Sequence, residues 1–306
     1  MGSFNGATHL TEQLDSFLAQ EHTVWDLWVS DDGSTDQTRA ILDAFKQTHG
    51  AQHEIRVIDG PRRGSAANFL ALLCHPDLPP GPVALSDQDD VWLPHKLSRA
   101  LRMLQSAGPI ALYGGQSLHV DANLKEIGRS RLGHARPSFR NAVTQNVISG
   151  HSTVISAAAL EIVRQAGPQP VPHHDWWLYQ LLSAAGADVL VDPLPVLMYR
   201  QHGSNVMGAH QGLGAWRARA AQVLGHEYGD WISCNLQSLR QVAHLLTPES
   251  RAILEDLIKC PRPAHQEKAR FTKAARRAFA MSRHGIARQS RLQTLVFYTA
   301  SLLGRV

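Results

Sequence analysis

Short apolar runs alternate with amphipathic stretches through residues 10–191 of this chain. The runs have the length and composition of buried strands, whereas the stretches between them repeat apolar residues at helical spacing. The pattern predicts strands at 25–30, 54–58, 82–86, 110–113, 116–120, 147–155 and 189–191, and helices at 10–20, 35–47, 65–74, 96–105 and 173–185. Strands and helices in alternation predict an α/β fold with a mostly parallel sheet flanked by helices on both faces.

The start of the chain departs from this pattern. Residues 1–6, Met-Gly-Ser-Phe-Asn-Gly, lead into the first predicted helix without an apolar run before them. A sheet of this type normally opens with a strand, so the first strand is predicted to be missing. Its absence would leave one part of the sheet edge incomplete.

The pattern changes after about residue 208. Strand signals end there, and helices are predicted at 212–224, 231–246, 248–258 and 267–283. We therefore expect two regions, an α/β domain at 1–208 and a helical, basic C-terminal region at 209–306. From residue 262 onward the chain carries ten Lys or Arg and one acid, Glu267. This asymmetry favours an anionic partner, either phospholipid or a phosphate-bearing substrate. Nucleic acid is not expected, because no nucleic-acid-binding module accompanies the basic residues.

Composition restricts the class and location of the protein. A chain of 306 residues with 43% hydrophobic and 18% charged residues is typical of a globular protein with a sizeable core. Its three cysteines have neither disulfide-framework nor zinc-site spacing, which favours a reducing cytoplasm. The longest apolar stretch, 292–303, is too short and too polar to span a bilayer. We expect a cytoplasmic protein, with peripheral attachment to the inner face of the membrane as an open alternative.

Two acidic segments follow predicted strands, at the sheet edge where open α/β sheets bind ligands. In the first, Asp31 and Asp32 end a strand, Gly33 allows a turn, and Ser34 can cap the next helix. A simple capped turn would explain Ser34 but not the paired acids. We therefore interpret Asp31 and Asp32 as contacts to the base or ribose of a nucleotide.

The second segment is Asp87-Gln88-Asp89-Asp90. Carboxylate ligands on a loop suit Mg²⁺ or Mn²⁺, ions that keep coordination positions open for substrate phosphates. Because alternate residues of an extended stretch point the same way, Asp87 and Asp89 are predicted to face one ion. Asp90 would then face away and act as a cap. A solvated acidic loop is the alternative, although apolar residues flank the segment on both sides.

Two further segments carry residues suited to chemistry. Asp175 begins a helix and could be either a helix cap or a general base. The adjacent Trp176 and Trp177 could form either core or an aromatic platform for a sugar. Arg200 and His202 alternate onto one face after a predicted strand, where they could bind phosphate and metal. With 17 histidines in the chain, a chance placement of His202 remains open.

Together these motifs resemble glycosyltransferase family 2, and most closely the rhamnosyltransferase-like bacterial enzymes of surface polysaccharide assembly. The resemblance covers about residues 3–208 and is carried by five segments in order: 4–6 with 14–20, 29–36, 86–97, 174–177 and 199–205. It implies a GT-A fold, a Rossmann-like α/β architecture. It also implies a nucleoside diphosphate sugar donor, Mn²⁺ or Mg²⁺, and inversion at the anomeric carbon. The donor base, dTDP or UDP, stays open, as does the choice between a saccharide and a lipid-linked saccharide acceptor.

The resemblance also implies roles for residues. Metal binding would fall to Asp89, Asp87 and His202, and proton abstraction from the acceptor to Asp175. Donor contacts would come from Phe4, Asn5, Asp31, Asp32, Asp87 and Arg200, and acceptor contacts from Gly150, His151, Trp176 and Trp177.

Two rival functions remain. A sugar nucleotidyltransferase would need a glycine-rich phosphate loop with Arg or Lys at the first strand, which the chain does not show. A catalytically silent nucleotide-sugar-binding or scaffold protein is the other rival, because the first strand is predicted to be missing.

Overall fold

The computed structural model describes residues 1–131, 136–201, 226–263 and 270–306. The described strands are β1 (Gly2–Ser3), β2 (Leu27–Asp31), β3 (Ile55–Asp59), β4 (Val83–Ala84), β5 (Val91–Trp92), β6 (Ala111–Val120), β7 (Glu126–Arg129), β8 (Thr153–Ile155) and β9 (Asp188–Arg200). The described helices are α1 (Leu10–Leu18), α2 (Thr38–His49), α3 (Ser65–Leu73), α4 (Lys96–Gln105), α5 (Phe139–Ala142), α6 (Ala157–Ala166), α7 (His174–Ala184), α8 (His226–Gln241), α9 (Pro248–Lys259), α10 (Arg270–Arg283) and α11 (Arg291–Leu302). The helix predicted at 212–224 lies outside the described residues.

The strands form two sheets. One is parallel, in the order β1-β2-β3, and the other is mixed, in the order β4-β8-β6-β9-β5, with β7 paired to β6. The α/β class is confirmed. Parallel pairing in the second sheet is confined to β6 and β9, and its other pairs are antiparallel. Hydrophobic periodicity does not encode strand direction, so the sequence pattern could not predict the antiparallel pairs. In the β6–β7 pair, the short turn between the two strands requires antiparallel pairing.

The first strand is present, which corrects the prediction that it is missing. Gly2 pairs with Ser30 and Ser3 with Asp31 in parallel register. The Gly2 N–H also donates to the Ser86 carbonyl at 3.2 Å. Because β1 has only two residues and neither is large and apolar, it leaves no hydrophobic pattern in the sequence. It lies between the ends of β2 and β4 and joins the segments that carry the two acid clusters.

Two other predicted strands have different bounds. The runs at 110–113 and 116–120 form one strand, β6, which continues through the two intervening glycines. The run at 147–155 is mostly loop, with a 3₁₀ turn at Gly150–Ser152 before the short β8. The glycine at 150 and the hydroxyl residues around it favour a turn over a strand.

The C-terminal helices share a hydrophobic core with the α/β domain. Trp177 of α7 and Phe69 of α3 belong to the same buried cluster as Tyr228 and Leu239 of α8 and Phe297 of α11. A second cluster lies between α1, α2 and α4. Because the helices after residue 226 bury apolar surface against the domain that carries α7, they act as an integral layer of one structure.

None of the helices in the described segments is both long and apolar enough to cross a membrane.

Candidate active site

The end of β1 connects the two acidic segments. The Phe4 N–H donates to the Gln88 side-chain carbonyl at 2.8 Å, and the Gln88 amide donates back to the Phe4 carbonyl at 2.9 Å. The Asn5 N–H donates to the Ser34 hydroxyl at 2.8 Å. Phe4 and Asn5, two of the six residues predicted to contact the donor, therefore lie between the acid clusters, and Phe4 is 56% exposed. The sheet edge at β1, β2 and β4 is one continuous site.

Asp31 and Asp32 both accept hydrogen bonds from the protein. Asp31 accepts from the Ser3 hydroxyl at 3.1 Å and from the Arg39 guanidinium at 2.7 Å. Burial acts to raise the pKa of Asp31, but hydrogen bonds from Ser34, Arg39 and Ser3 outweigh it and lower that pKa. Asp32 accepts from the backbone N–H groups of the 60–64 loop. Both carboxylates thus hold the loops at the end of β2 in place, and a direct contact with base or ribose stays a proposal.

Three side chains converge into a candidate metal centre. Ligand atoms of Asp87, Asp90 and His151 all lie within 4.8 Å of one another. Asp90 Oδ2 and His151 Nε2 are buried without a hydrogen-bond partner in the described structure. Burial, with lesser contributions from Lys96 and His119, lowers the pKa of His151 to about 3, so its ring is neutral and can donate a lone pair. The two carboxylates fit Mn²⁺ or Mg²⁺, and the neutral imidazole favours Mn²⁺, because Mg²⁺ prefers oxygen ligands.

The predicted pairing of Asp87 with Asp89 differs from this geometry. Residues 88 and 89 form a bend, which breaks the alternation expected of an extended stretch and turns Asp90 toward Asp87. Asp90 does not cap the following helix, because α4 begins at Lys96 and His95 precedes it. Asp89 is still close enough for its charge to raise the pKa of Asp87. The third predicted ligand, His202, lies outside the described residues.

A buried lysine adjoins the acid cluster. The Lys96 ammonium donates to the His151 carbonyl at 2.5 Å and lies 3.8 Å from the centre of the Trp92 ring. Burial lowers the pKa of Lys96 to about 7, although Asp90 and Asp87 act to raise it. Burial, with Asp89 and Asp175, raises the pKa of Asp87 to about 7. A single ammonium therefore compensates only part of the charge of these acids.

Sequence reasoning missed Lys96, although the residue carries a signal. It is the first residue of α4, where the helix macrodipole disfavours a cation. A buried lysine at such a position requires nearby acids.

Asp175 lies in the first turn of α7 and faces the same site. Its Oδ2 accepts the Gly150 N–H at 3.2 Å. The carboxylate is half-buried, and its charge contributes to the raised pKa of Asp87. Asp175 and the candidate metal centre therefore share one electrostatic environment, and the backbone at Gly150 orients the carboxylate.

Gly150→Ala is expected to lower turnover about tenfold with little change in donor affinity. An added Cβ would meet His174 Nε2 at 2.7 Å, and the buried His174 ring is stacked on Phe69, so we expect the turn to shift and the hydrogen bond to Asp175 to lengthen. Steady-state kinetics with a donor titration would measure the effect, and a thermal melt would report folding. Unchanged turnover in a folded variant would show that this contact does not orient Asp175.

Arg200 is placed differently from its predicted role. Its side chain is 1% exposed and its guanidinium pairs with the Glu12 carboxylate. It also donates to the Asp89 carbonyl at 3.1 Å and to the Ala122 carbonyl at 2.7 Å. A guanidinium with these protein partners and so little exposed surface holds the acidic loop in place, so the structure does not support direct contact with a diphosphate.

Trp176 and Trp177 are core residues, which corrects their predicted role as an acceptor platform. They are 3% and 0% exposed. The Trp176 indole N–H donates to the Ala142 carbonyl at 2.7 Å. Among the predicted acceptor residues, Gly150 and His151 do lie at the site, and His151 stacks on Tyr199 with ring centres 4.4 Å apart.

Comparison with known proteins agrees with this geometry. The family model for glycosyl transferase family 2 matches residues 1–163. The chain is 27% identical over 219 residues to the dTDP-rhamnosyl transferase RfbG of Shigella flexneri, covering 69% of this chain and 74% of that protein. It is also 27% identical over 116 residues to a putative teichuronic acid biosynthesis glycosyltransferase, TuaG of Bacillus subtilis, covering 38% and 44% of the two chains.

Solved structures share the fold. A mannosyltransferase from Pyrobaculum calidifontis, in complex with GDP-Man and Mn²⁺, superposes with a TM-score of 0.53 at 16% identity, covering 99% of this chain and 84% of that one. S. aureus TarS 1-349 in complex with UDP-GlcNAc superposes with a TM-score of 0.54 at 15% identity, covering 94% and 91%. These likenesses confirm the predicted GT-A fold.

Proposed function

Because the chain belongs to glycosyl transferase family 2 and is a glycosyltransferase acting on nucleotide sugars, we propose that its reaction is metal-dependent and inverting. The acceptor would be a saccharide or a lipid-linked saccharide of a surface polysaccharide. The observation that carries this proposal is the convergence of Asp87, Asp90 and His151 beside Asp175 at one sheet edge. An enzyme that acts on such an acceptor would function at the inner face of the membrane.

The proposal for the donor rests on the relatives and on the residues near the end of β2. The Shigella relative is named a dTDP-rhamnosyl transferase, which favours rhamnose carried by dTDP. The TarS complex holds UDP-GlcNAc, so UDP remains the other candidate. Asp31, Asp32, Phe4 and Asn5 surround the place where a base and ribose would lie.

Asp87 would hold the metal, with Asp90 and His151 as the co-ligands that the geometry favours. Asp89 and His202 are the co-ligands that the sequence favours. The uncompensated buried atoms Asp90 Oδ2 and His151 Nε2 support the first set. When bound, Mn²⁺ or Mg²⁺ would neutralise charge on the leaving nucleoside diphosphate.

Asp175 would act as the general base. Its carboxylate would accept the proton of the acceptor hydroxyl as the oxygen attacks the anomeric carbon on the face opposite the leaving group. One displacement of this kind inverts the anomeric configuration and requires no nucleophilic side chain. Asp175 Oδ2 accepts the Gly150 N–H, and Asp175 Oδ1 accepts the Trp176 N–H. Because a carboxylate oxygen can accept more than one hydrogen bond, Oδ1 could also accept from a substrate hydroxyl.

A donor panel with Mn²⁺ tests the function. Purified full-length protein would be incubated with dTDP- and UDP-linked sugars, and release of the nucleoside diphosphate would be measured with and without EDTA. The proposal expects release with at least one donor and its loss with EDTA. Binding without release under every condition would favour the silent scaffold instead.

The affinity for Mn²⁺ is expected to depend on pH. Since the pKa of Asp87 is raised to about 7, the carboxyl is protonated below that pH and must lose its proton to bind a cation. Affinity should fall at least about tenfold for each pH unit below about 7, because burial raises the pKa of the proposed co-ligand Asp90 as well. Calorimetric titration of Mn²⁺ in buffers of different ionisation enthalpy would count the released proton. An affinity that is flat across this range would remove Asp87 from the metal centre.

A further inference from the structure

Charge is segregated strongly at the C-terminal end of the chain. Residues 270–306 contain eight of the 30 Lys and Arg residues and none of the 26 Asp and Glu residues. This segment forms the two packed helices α10 and α11. The two-helix unit is therefore a cationic surface on a chain that is otherwise acidic on balance.

Apolar side chains are exposed on this same unit. Five of the ten exposed large hydrophobic side chains in the described residues lie here: Phe279, Leu292, Leu295, Leu302 and Leu303. Such a concentration on a charged helix pair is not typical of scattered surface residues.

On α11 the exposed leucines form a stripe. Leu292, Leu295 and Leu302 are 55%, 63% and 50% exposed and recur at helical spacing, whereas Phe297 and Ala300 face the core and are fully buried. The helix therefore has a buried apolar face and a second apolar face directed to solvent.

On α10 an exposed aromatic ring stands between cations. Phe279 is 70% exposed. Arg276 and Arg283, three residues before and four after it, lie on the same exposed face, and Arg283 also pairs with Asp256 of α9. An apolar side chain bracketed by arginines is typical of helices that lie in a membrane interface, where the ring enters the acyl boundary and the guanidinium groups meet lipid phosphates.

A groove connects this surface to the loop before α11. The groove has a volume of about 580 Å³ and is bordered by Arg288, Arg291, Leu295 and Tyr298. Its walls combine arginines with apolar side chains, the same combination as on the exposed faces.

The surface is attached to the catalytic side of the molecule. The Asn141 side-chain amide donates to the Ala287 carbonyl at 3.0 Å, and the Arg288 guanidinium donates to the Thr144 carbonyl at 3.0 Å. In the same 141–144 segment, the Ala142 carbonyl accepts the indole N–H of Trp176, the residue that follows Asp175. A bilayer that contacts α10 and α11 would thus be held at a fixed position relative to the base.

We propose that α10 and α11 form a docking surface for an anionic phospholipid bilayer. The inference rests on the proposed function, since it explains how the enzyme would reach a lipid-linked acceptor. The exposed leucine stripe and Phe279 would enter the interface, while Arg276 and Arg291 would contact lipid phosphates. Charge complementarity selects the bilayer over an apolar protein partner, because residues 270–306 carry eight Lys or Arg residues and no Asp or Glu.

Vesicle sedimentation of the full-length protein tests this surface. We expect partitioning onto phosphatidylcholine vesicles that contain phosphatidylglycerol, weak partitioning onto pure phosphatidylcholine, and release by salt. Arg276→Gln with Arg291→Gln should lower the partition coefficient about fivefold per cation. Phe279→Ser, Leu292→Ser and Leu295→Ser together should lower it about tenfold or more.

A matched control uses exposed apolar residues elsewhere. Val24→Ser, Ile127→Ser and Leu194→Ser together remove a similar exposed area and should leave partitioning unchanged. Equal loss in the control triple, or wild-type partitioning that ignores lipid charge, would overturn the proposal. Self-association that is lost in the α10–α11 triple would also overturn it, because a second copy would then cover the surface.

The readout separates this inference from the proposed function. Vesicle binding needs no donor, and release of nucleoside diphosphate needs no vesicle. Donor turnover without charge-dependent binding would reject the surface alone, whereas charge-dependent binding without turnover on any donor would support the surface and reject the function.

Discussion

Asp175→Asn is expected to lower turnover about a thousandfold while the dissociation constant of the donor changes by less than about twofold. The amide keeps the size of the carboxylate and can still accept the Gly150 N–H through its oxygen. It cannot take a proton from the acceptor hydroxyl. A thousandfold loss corresponds to about 4 kcal/mol of transition-state stabilisation.

The measurement pairs initial-rate kinetics with calorimetric donor binding. Asp43→Asn is the matched control, because it makes the same change in an exposed carboxylate on α2. The control should turn over at the wild-type rate. Wild-type turnover in Asp175→Asn would exclude it as the base, and a parallel loss of donor affinity would move it into the donor site instead.

Asp87→Asn is expected to weaken Mn²⁺-dependent binding of a nucleoside diphosphate about a hundredfold. The substitution removes a charged ligand from the centre formed with Asp90 and His151. Binding measured with EDTA present should change little, since contacts with base and ribose do not depend on the ion. Undiminished Mn²⁺-dependent binding would remove Asp87 from the centre.

Comparison of Asp90→Asn with Asp89→Asn identifies the co-ligand. The geometry predicts a loss for Asp90→Asn similar to that for Asp87→Asn and a smaller loss for Asp89→Asn. The reverse order would restore the pair predicted from the sequence. Because Asp90 is fully buried, a thermal melt must accompany its titration to show that the variant is folded.

The sequence predicted those parts of the fold that depend on periodicity. Helices α3, α4 and α7 agree with their predicted bounds within one or two residues. Amphipathic spacing defines α4, whereas α7 is buried on nearly all faces and is bounded by Pro172 and Gly186. Strand direction and the two-residue β1 depend on pairing with distant residues, and periodicity carries no record of either.

Only part of the candidate site could be predicted from the sequence, for related reasons. The acid clusters could be located because paired carboxylates after apolar runs are unusual. Which of them converge could not be determined, since the bend at 88–89 decides whether Asp89 or Asp90 faces Asp87. The burial of Arg200 and Trp177 is set by tertiary packing, and neither residue type shows it locally.

A buried lysine contributes to the electrostatics of the acid cluster. Neighbouring carboxylates repel one another and resist burial unless a positive charge compensates them. Lys96 places an amino group beside these acids, and Asp90 and Asp87 favour its charged form by acting to raise its pKa against the effect of burial. The cluster can therefore form before a metal binds, and the remaining negative charge is what a divalent ion would balance.

Anomalous scattering from crystals grown with Mn²⁺ and a nucleoside diphosphate would locate the metal directly. We expect one strong peak within coordination distance of the Asp87 carboxylate and of Asp90 or His151, with the diphosphate on the side that faces Asp175. A bound diphosphate with no manganese at Asp87, or a peak elsewhere on the molecule, would exclude this metal centre.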